Sequence, residues 1–249
     1  MILAIDIGNT HIAFGRFEGT RLVRYAVLPT HPLRSANTLA HQVAALRLAT
    51  DRAEEVLICS VVPDMTAALT TALRHLQARR IRIVGKDVKV PLANRYRRPS
   101  QVGQDRLVGA YAAWRQFRRA CIVADFGTAT TIDVVTAHGE YLGGVIAPGL
   151  ELALDTLANK TALLPRVRLT APKELLGRDT ESSIRSGLVY GAAALCDGIV
   201  TQLKRQYVPN AAVVATGGAG PLIAQHAKTL RHLRPHLVLE GLHLLSTLK

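Results

Sequence analysis

The apolar and polar positions of this chain show the same opening twice, an apolar strand that closes on an acid and a glycine and is followed by further strands. Ile2 to Asp6 reads as an apolar strand closing on an acid, and His11 to Phe17 and Arg21 to Leu28 follow as two more strands joined by short turns. The pattern breaks over Pro29 to Ser35. It resumes over Ala36 to Thr50, where apolar residues recur at helical spacing. Val56 to Val62 predicts a buried strand closed by Pro63, Asp64 is placed to cap a helix reaching about Arg79, and Ile81 to Val84 returns as a strand. The order is strand, strand, strand, helix, strand, helix, strand.

Between Lys86 and Gln104 the periodicity weakens around Pro91 and Pro99, in a loop suited to ligand contacts on a rigid scaffold. Gly103, Gln104, Asp105 and Arg106 then open a helix to about Arg118, with Leu107, Ala110, Tyr111 and Trp114 on one face. A second set of strands follows: Ala120 to Asp125, Thr130 to Thr136 and Gly139 to Ile146. Gly143, Gly144, Pro148 and Gly149 punctuate the turn into a helix that starts over Leu150 to Leu157. Ala158 to Asp179 is irregular, and Ser182 to Gln206 predicts a long helix with an apolar stripe at Ile184, Leu188, Leu195 and Ile199. Ala211 to Thr216 reads as a buried strand ending in Thr-Gly-Gly-Ala-Gly. The strand His236 to Leu239 and the helix Leu242 to Leu248 are expected to close the second half.

Candidate chemistry sits where the first strand of each set ends. Ile2 to Thr10 runs ILAIDIGNT, and Ile122 to Thr131 runs IVADFGTATT, so Asp6 is spaced from Asp125 as Gly8 is from Gly127. An acid at a strand end, then a glycine without Cβ, then small hydroxyl or amide side chains, suits a phosphate and a hydrated magnesium ion. A lone turn of this kind reads equally well as a hairpin. The repeat points instead to a duplicated domain with a ligand held between the copies.

Four stretches carry a resemblance: AIDIGNT at the N-terminus, Y-x-x-P-x-x-V-G-x-D-R from Tyr96 to Arg106, DFGTATT, and GGVIAPG from Gly143 to Gly149. As an ordered set they resemble type III pantothenate kinases, within the acetate-kinase, sugar-kinase, Hsp70 and actin superfamily. The resemblance implies an α/β fold of duplicated actin-like ATPase (ribonuclease H-like) domains, each a mixed sheet flanked by helices, with the active site in the cleft between them. The expected halves are 1–118, including the Gly-Gln-Asp-Arg helix, and 119–249.

It also implies roles. Asp105 would be the catalytic base, though a carboxylate in a first helical turn is also an ordinary helix-start residue. Tyr96, Gly103, Gln104, Asp105, Arg106 and Thr180 would bind substrate. Tyr96 reads equally as a tyrosine at a core edge, and Thr180 as the N-cap of the long helix. Gln104 departs from the alanine common at that position. Asp6, Ile7, Gly8, Asn9, Thr10, His11, Ile12, Ala13 and Thr128 would bind ATP, although Thr128 and Thr130 also suit a strand. Asp6 would hold magnesium through water, and Asp125 a monovalent cation, potassium or ammonium. Gly217 and Gly218 would lie against adenosine. The long helix would form a homodimer interface, a stripe that sequence does not separate from an ordinary core face.

Composition changes the picture in three respects. Lys and Arg number 31 against 18 Asp and Glu, a net charge of +13 and a pI near 10.3. That charge would steer ATP and a carboxylate substrate, and with neither a basic tail nor a nucleic-acid module, nucleic acid is not the expected partner. Cys59, Cys121 and Cys196 lie in apolar contexts without C-x-x-C spacing, which predicts reduced core residues. The start MILAIDIG lacks a basic leader, and no apolar run has membrane-spanning length, so a cytoplasmic protein without a membrane partner is expected. The function implied is ATP-dependent phosphorylation of pantothenate to 4′-phosphopantothenate, opening coenzyme A biosynthesis. Two alternatives stay open: a kinase of this fold acting on another acceptor such as a sugar or acetate, and a non-catalytic accessory factor of transcription.

Overall fold

Near-continuous burial in the first and fourth strands and alternating, mostly exposed positions in the third are the marks of a sheet with a covered centre and an open edge. The computed structural model describes residues 1–32 and 35–248, so Leu33 and Arg34 of the expected break at 29–35 lie outside the described residues. Its first elements are β1 (Ile2–Ile7), β2 (His11–Glu18), β3 (Arg21–Pro29), α1 (Ala36–Ala45), β4 (Glu55–Ser60), α2 (Pro63–His75) and β5 (Ile81–Ile83). They are followed by β6 (Ala93–Asn94), α3 (Gln104–Phe117), β7 (Cys121–Phe126), β8 (Ala129–Val135), β9 (Glu140–Pro148), α4 (Leu150–Lys160) and α5 (Thr180–Gln206). The chain ends with β10 (Ala212–Thr216), α6 (Gly220–Ala224), β11 (His232–Leu233) and α7 (Leu237–Ser246).

The strands make two sheets, ordered β3-β2-β1-β4-β5 and β11-β10-β7-β8-β9-β6. In the first, β1 runs antiparallel to β2 and parallel to β4; in the second, β7 runs antiparallel to β8 and parallel to β10. β7 to β11 therefore repeat β1 to β5, with β6 added in parallel beside β9. The expected order of the first seven elements, β1 to β5 with α1 and α2, and the α/β class hold.

The chain divides into two compact units: Met1–Leu92 with Ser100–Ala112 and Leu237–Lys249, and Ala93–Pro99 with Ala113–His236. Compared with halves cut at 118/119, residues 93–99 and 113–118 belong with the second sheet, and the C-terminal segment with the first. That last difference corrects the expectation that the chain's end closes the second half. α7 packs on β1, β2 and β4, with His243 stacked on Phe17 at 4.6 Å between ring centroids. The expected strand at 236–239 is the start of this helix, and the edge strand is β11.

In the first unit Leu3, Ile5, Ile7, Ile12, Phe14, Val56 and Ile58 pack against Leu39 and Val43 of α1 and Met65 and Leu69 of α2. At the start of β4, Glu55 is buried and held by Arg82, whose Nη2 donates to Glu55 Oε2 at 2.8 Å. Removing one partner of such a buried pair costs about 3–5 kcal/mol. α2 starts at Pro63, not at an Asp64 cap: Pro63 occupies the first helical turn, where its missing N–H costs nothing, and Ser60 Oγ accepts from Val62 N at 3.0 Å. In the second unit Ile122, Ala124, Ile132, Val213 and Ala215 pack against Val189, Ala193, Cys196 and Val200 of α5. No helix among the described residues is long and apolar enough to cross a membrane.

Candidate functional site

In the first unit the phosphate-type turn is built by strand register. Asp6, half-buried, is the penultimate residue of β1 and lies between Ala13 of β2 and Cys59 of β4. Gly8 N donates to His11 O at 2.9 Å and closes the turn. Thr30, fully buried, fastens it from β3's end: its Oγ1 donates to Gly8 O at 2.7 Å and its N to Thr10 O at 2.9 Å. Asn9, Thr10 and His11 are left exposed, whereas Ile7 and Ile12 are wholly buried and can offer a ligand only their backbone. Ala13 is half-buried beside Asp6.

Asp105 stands in the first turn of α3, and Arg106 N donates to its Oδ1 at 2.8 Å. The carboxylate folds back over Gly103, where a Cβ would lie under 3.0 Å from Oδ1. Gln104 packs on the neighbouring turn: a Cβ on Gly85, whose φ is +86°, would stand 2.9 Å from Gln104 Cδ. Gly85 thus accommodates the larger residue at the position where the resembling kinases carry alanine.

One buried thiol connects the two acids. Cys59 is fully buried, and burial first, then the charges of Asp6 and Asp105, push its thiol well above the ordinary range. Cys59 stays neutral and adds no third charge to those of Asp6 and Asp105. Tyr25 on β3 is raised as well, by burial and then by the Asp6 charge.

The second unit repeats the strand end. Asp125, half-buried and penultimate in β7, lies between Thr131 of β8 and Thr216 of β10, and Gly127 N donates to Ala129 O at 3.1 Å. Thr128 is exposed, and its carbonyl accepts from Gly149 N at 3.1 Å. Gly217, with φ +84°, lies directly on the Asp125 carboxylate, where a Cβ would collide with Oδ1 and with the Phe126 backbone. Among the described residues no group of three or more His, Cys, Asp or Glu is placed to hold a metal. A cation at Asp125 would thus rely on one carboxylate with hydroxyl and carbonyl oxygens, a donor set that suits a hard ion.

Tyr96 is half-buried, donates its N to Asn94 Oδ1 at 3.0 Å, and lays its ring on Gly143, where a Cβ would stand 3.1 Å from Cδ2. Thr180 is exposed in the first turn of α5. The cap is Asp179, which accepts from Ser182 N at 2.8 Å while Ser182 Oγ accepts from Asp179 N at 3.2 Å. Capping by Thr180 is therefore not its role. The Ser182 backbone and hydroxyl bonds hold Asp179 below the ordinary carboxylate range.

Sequence reasoning missed Thr30 and the burden on Gly217. A threonine at a strand end has no pattern of its own, and Gly217 was read for a place against adenosine, with no sign of the carboxylate it lies on.

A family model described as type III pantothenate kinase matches residues 2–202. The type III pantothenate kinase of Syntrophotalea carbinolica is 39% identical over 249 residues, covering 98% of both chains. That of Rubrobacter xylanophilus is 40% identical over 262 residues, covering 100% of this chain and 98% of the relative. Among solved structures, a Campylobacter jejuni protein provisionally described as a Baf family transcriptional activator matches with a TM-score of 0.62 at 17% identity, covering 98% of this chain and 96% of that one. A Sinorhizobium meliloti protein provisionally described as a 2-dehydro-3-deoxygalactonokinase matches with a TM-score of 0.59 at 16% identity, covering 99% and 98%. The two structural likenesses support the two-domain kinase fold alone.

Proposed function

Because this chain belongs to the type III pantothenate kinase family, we propose that Asp105 is the base of its phosphoryl transfer and that Asp6 and Asp125 serve the phosphates. The protein is a phosphotransferase that uses ATP and phosphorylates pantothenate in coenzyme A biosynthesis. The observation that carries the residue reading is the Asp105 carboxylate at the first turn of α3, turned over Gly103, with Asp6 at the end of β1 in the same unit.

Phosphoryl transfer asks a protein mainly for positioning and charge stabilisation. Asp105 accepts the proton of the acceptor's primary hydroxyl as that oxygen attacks the γ-phosphorus, giving 4′-phosphopantothenate and ADP. Arg106 offers a planar fork to the acceptor's polar groups beside Gly103 and Gln104; Tyr96 contacts the acceptor with its ring, and Thr180 of one protomer reaches the acceptor of its partner. Gly8 and Asn9 to Ala13 receive the nucleotide: the side chains of Asn9, Thr10 and His11, and the backbone of Ile7 and Ile12. Thr128 donates to a phosphate oxygen. Asp6 would hold magnesium through water, and Asp125 potassium or ammonium; bound there, these ions neutralise phosphate charge. We assign the α5 face bearing Leu195, 40% exposed, to a homodimer interface, and the protein to the cytoplasm.

The test is turnover of ATP with a panel of acceptors: pantothenate, a hexose and acetate. Pantothenate alone should support it. Turnover only with another acceptor would overturn the substrate, and turnover with none would overturn the kinase reading.

A further inference from the structure

Tyr96 owes its place to a buried carboxylate that the mechanism above does not use. Asp133 is in the middle of β8, is 2% exposed, and has Val123 and Gly144 as its neighbours on the flanking strands. Its Oδ1 accepts the Tyr141 hydroxyl at 2.7 Å and its Oδ2 accepts Thr131 Oγ1 at 3.2 Å. Tyr141 is wholly buried. Both hydrogen bonds lie inside the sheet, where loss of one partner leaves a buried polar group unsatisfied.

The same two residues hold the segment that carries Tyr96. β6 pairs with β9 through Asn94 and Tyr141, and Arg95 N donates to Tyr141 O at 2.9 Å. Tyr141 thus pins the chain just before Tyr96 with its backbone, and pins itself to Asp133 with its hydroxyl. Two residues on, β9 is irregular: the register with β8 shifts at Val134/Val135, and Gly143 has φ +121°. The Tyr96 ring rests on that Gly143. The Asp133 carboxylate lies against the next residue, beside the Ile132 carbonyl: a Cβ on Gly144 would stand 2.5 Å from Asp133 Oδ1 and closer still to Ile132 O. The bulge is held between the ring and the carboxylate, in a stretch where pairing alone fixes register weakly.

We infer that Asp133, acting through the Tyr141 hydroxyl, is a positioning residue for the acceptor: it fixes the β9 bulge and the 93–96 segment, and so the Tyr96 ring. This rests on Tyr96 bounding the acceptor pocket. Thr131, the cross-strand neighbour of Asp125, joins the same carboxylate, so the strand end proposed for the cation shares the anchor.

The decisive variant is Tyr141→Phe, which removes one oxygen, with Tyr96→Ala as reference and Asp133→Asn as the second probe. KM for pantothenate, KM for ATP, kcat and melting temperature are measured for each, and for the Tyr96→Ala/Tyr141→Phe double variant. Tyr141→Phe should raise pantothenate KM about tenfold and leave ATP KM within about twofold. In the double variant the two effects should fail to add, since both act through the ring's position. Additive effects, or equal rises in both KM values, would mean a general structural role and overturn the inference. If Tyr96→Ala raises pantothenate KM while Tyr141→Phe and Asp133→Asn do not, the inference falls and the Tyr96 assignment stands. If Tyr96→Ala itself leaves pantothenate KM unchanged, the Tyr96 assignment falls, and the inference with it. Should Asp133→Asn fail to fold, Tyr141→Phe decides alone.

Discussion

Gly103 has no side chain because Asp105 occupies the space: the carboxylate of residue 105 turns back over residue 103, and a Cβ there would stand under 3.0 Å from Oδ1. The glycine before the helix is thus a steric condition on the proposed base. Gly103→Ala should push the carboxylate aside while leaving α3 intact. A displacement of about 1 Å costs roughly 10²-fold in rate. We expect kcat to fall by that order with an unchanged melting temperature, and an unaltered kcat would show that the carboxylate's position does not matter.

Magnesium dependence tests Asp6. Asp6→Asn keeps the shape of the β1 end and removes one charge from a site that takes only one or two carboxylates. The magnesium concentration for half-maximal activity should rise. An unchanged titration would remove Asp6 from the metal's surroundings.

Potassium and ammonium test Asp125 and the glycine against it. Asp125→Ala should abolish activation by either ion and leave the fold intact. Gly217→Ala should weaken activation too, since its methyl would collide with the carboxylate and its φ of +84° disfavours any side chain. Activity is followed against potassium, with sodium holding ionic strength constant so that screening of the +13 surface is not mistaken for activation. Equal activation in wild type and Asp125→Ala would refute the site.

Both turns were legible in the sequence because an acid, a glycine and small polar residues at the end of an apolar strand are local signals, and their repetition is visible without a structure. The order of elements in the first half followed, since the apolar period switches between strand and helix spacing along it. What was hidden depends on partners distant in the chain. β6 is two residues long, too short for a period. The apolar pattern of α7 says that it is covered but not by which sheet. Gly217 and Gly103 lie against the carboxylates of Asp125 and Asp105, and Gly144 against the Ile132 carbonyl and Asp133; sequence shows each glycine without its reason. Ile7 and Ile12 were named with the nucleotide-binding run, yet alternation across the strands buries both side chains.

Acid should loosen the segment after α6 before it loosens the sheets. Asp197 on α5 accepts Lys228 N at 2.8 Å, Thr229 N at 2.8 Å and Thr229 Oγ1 at 2.6 Å. Burial pushes its carboxyl up, but these bonds and the Lys228 charge outweigh that and bring it below the ordinary 3.8. A group whose folded-state pKa is lowered gives stability that is present above the unfolded value and lost as pH falls through the folded one. Hydrogen exchange at 228–229 should therefore accelerate below about pH 3.8 in the wild type. In Asp197→Asn the exchange should already be fast at neutral pH. Protection that is the same in both proteins at neutral pH would show that Asp197 does not hold the segment.

The account depends most on Asp105 as the base. ADP release with saturating ATP and pantothenate, compared between wild type and Asp105→Asn, is the most direct measurement of it. Asparagine keeps the size of the side chain and cannot accept the proton, so kcat should fall by roughly 10²–10⁴-fold at an unchanged melting temperature. Turnover within about threefold of wild type, well short of what loss of a general base costs, would contradict the account.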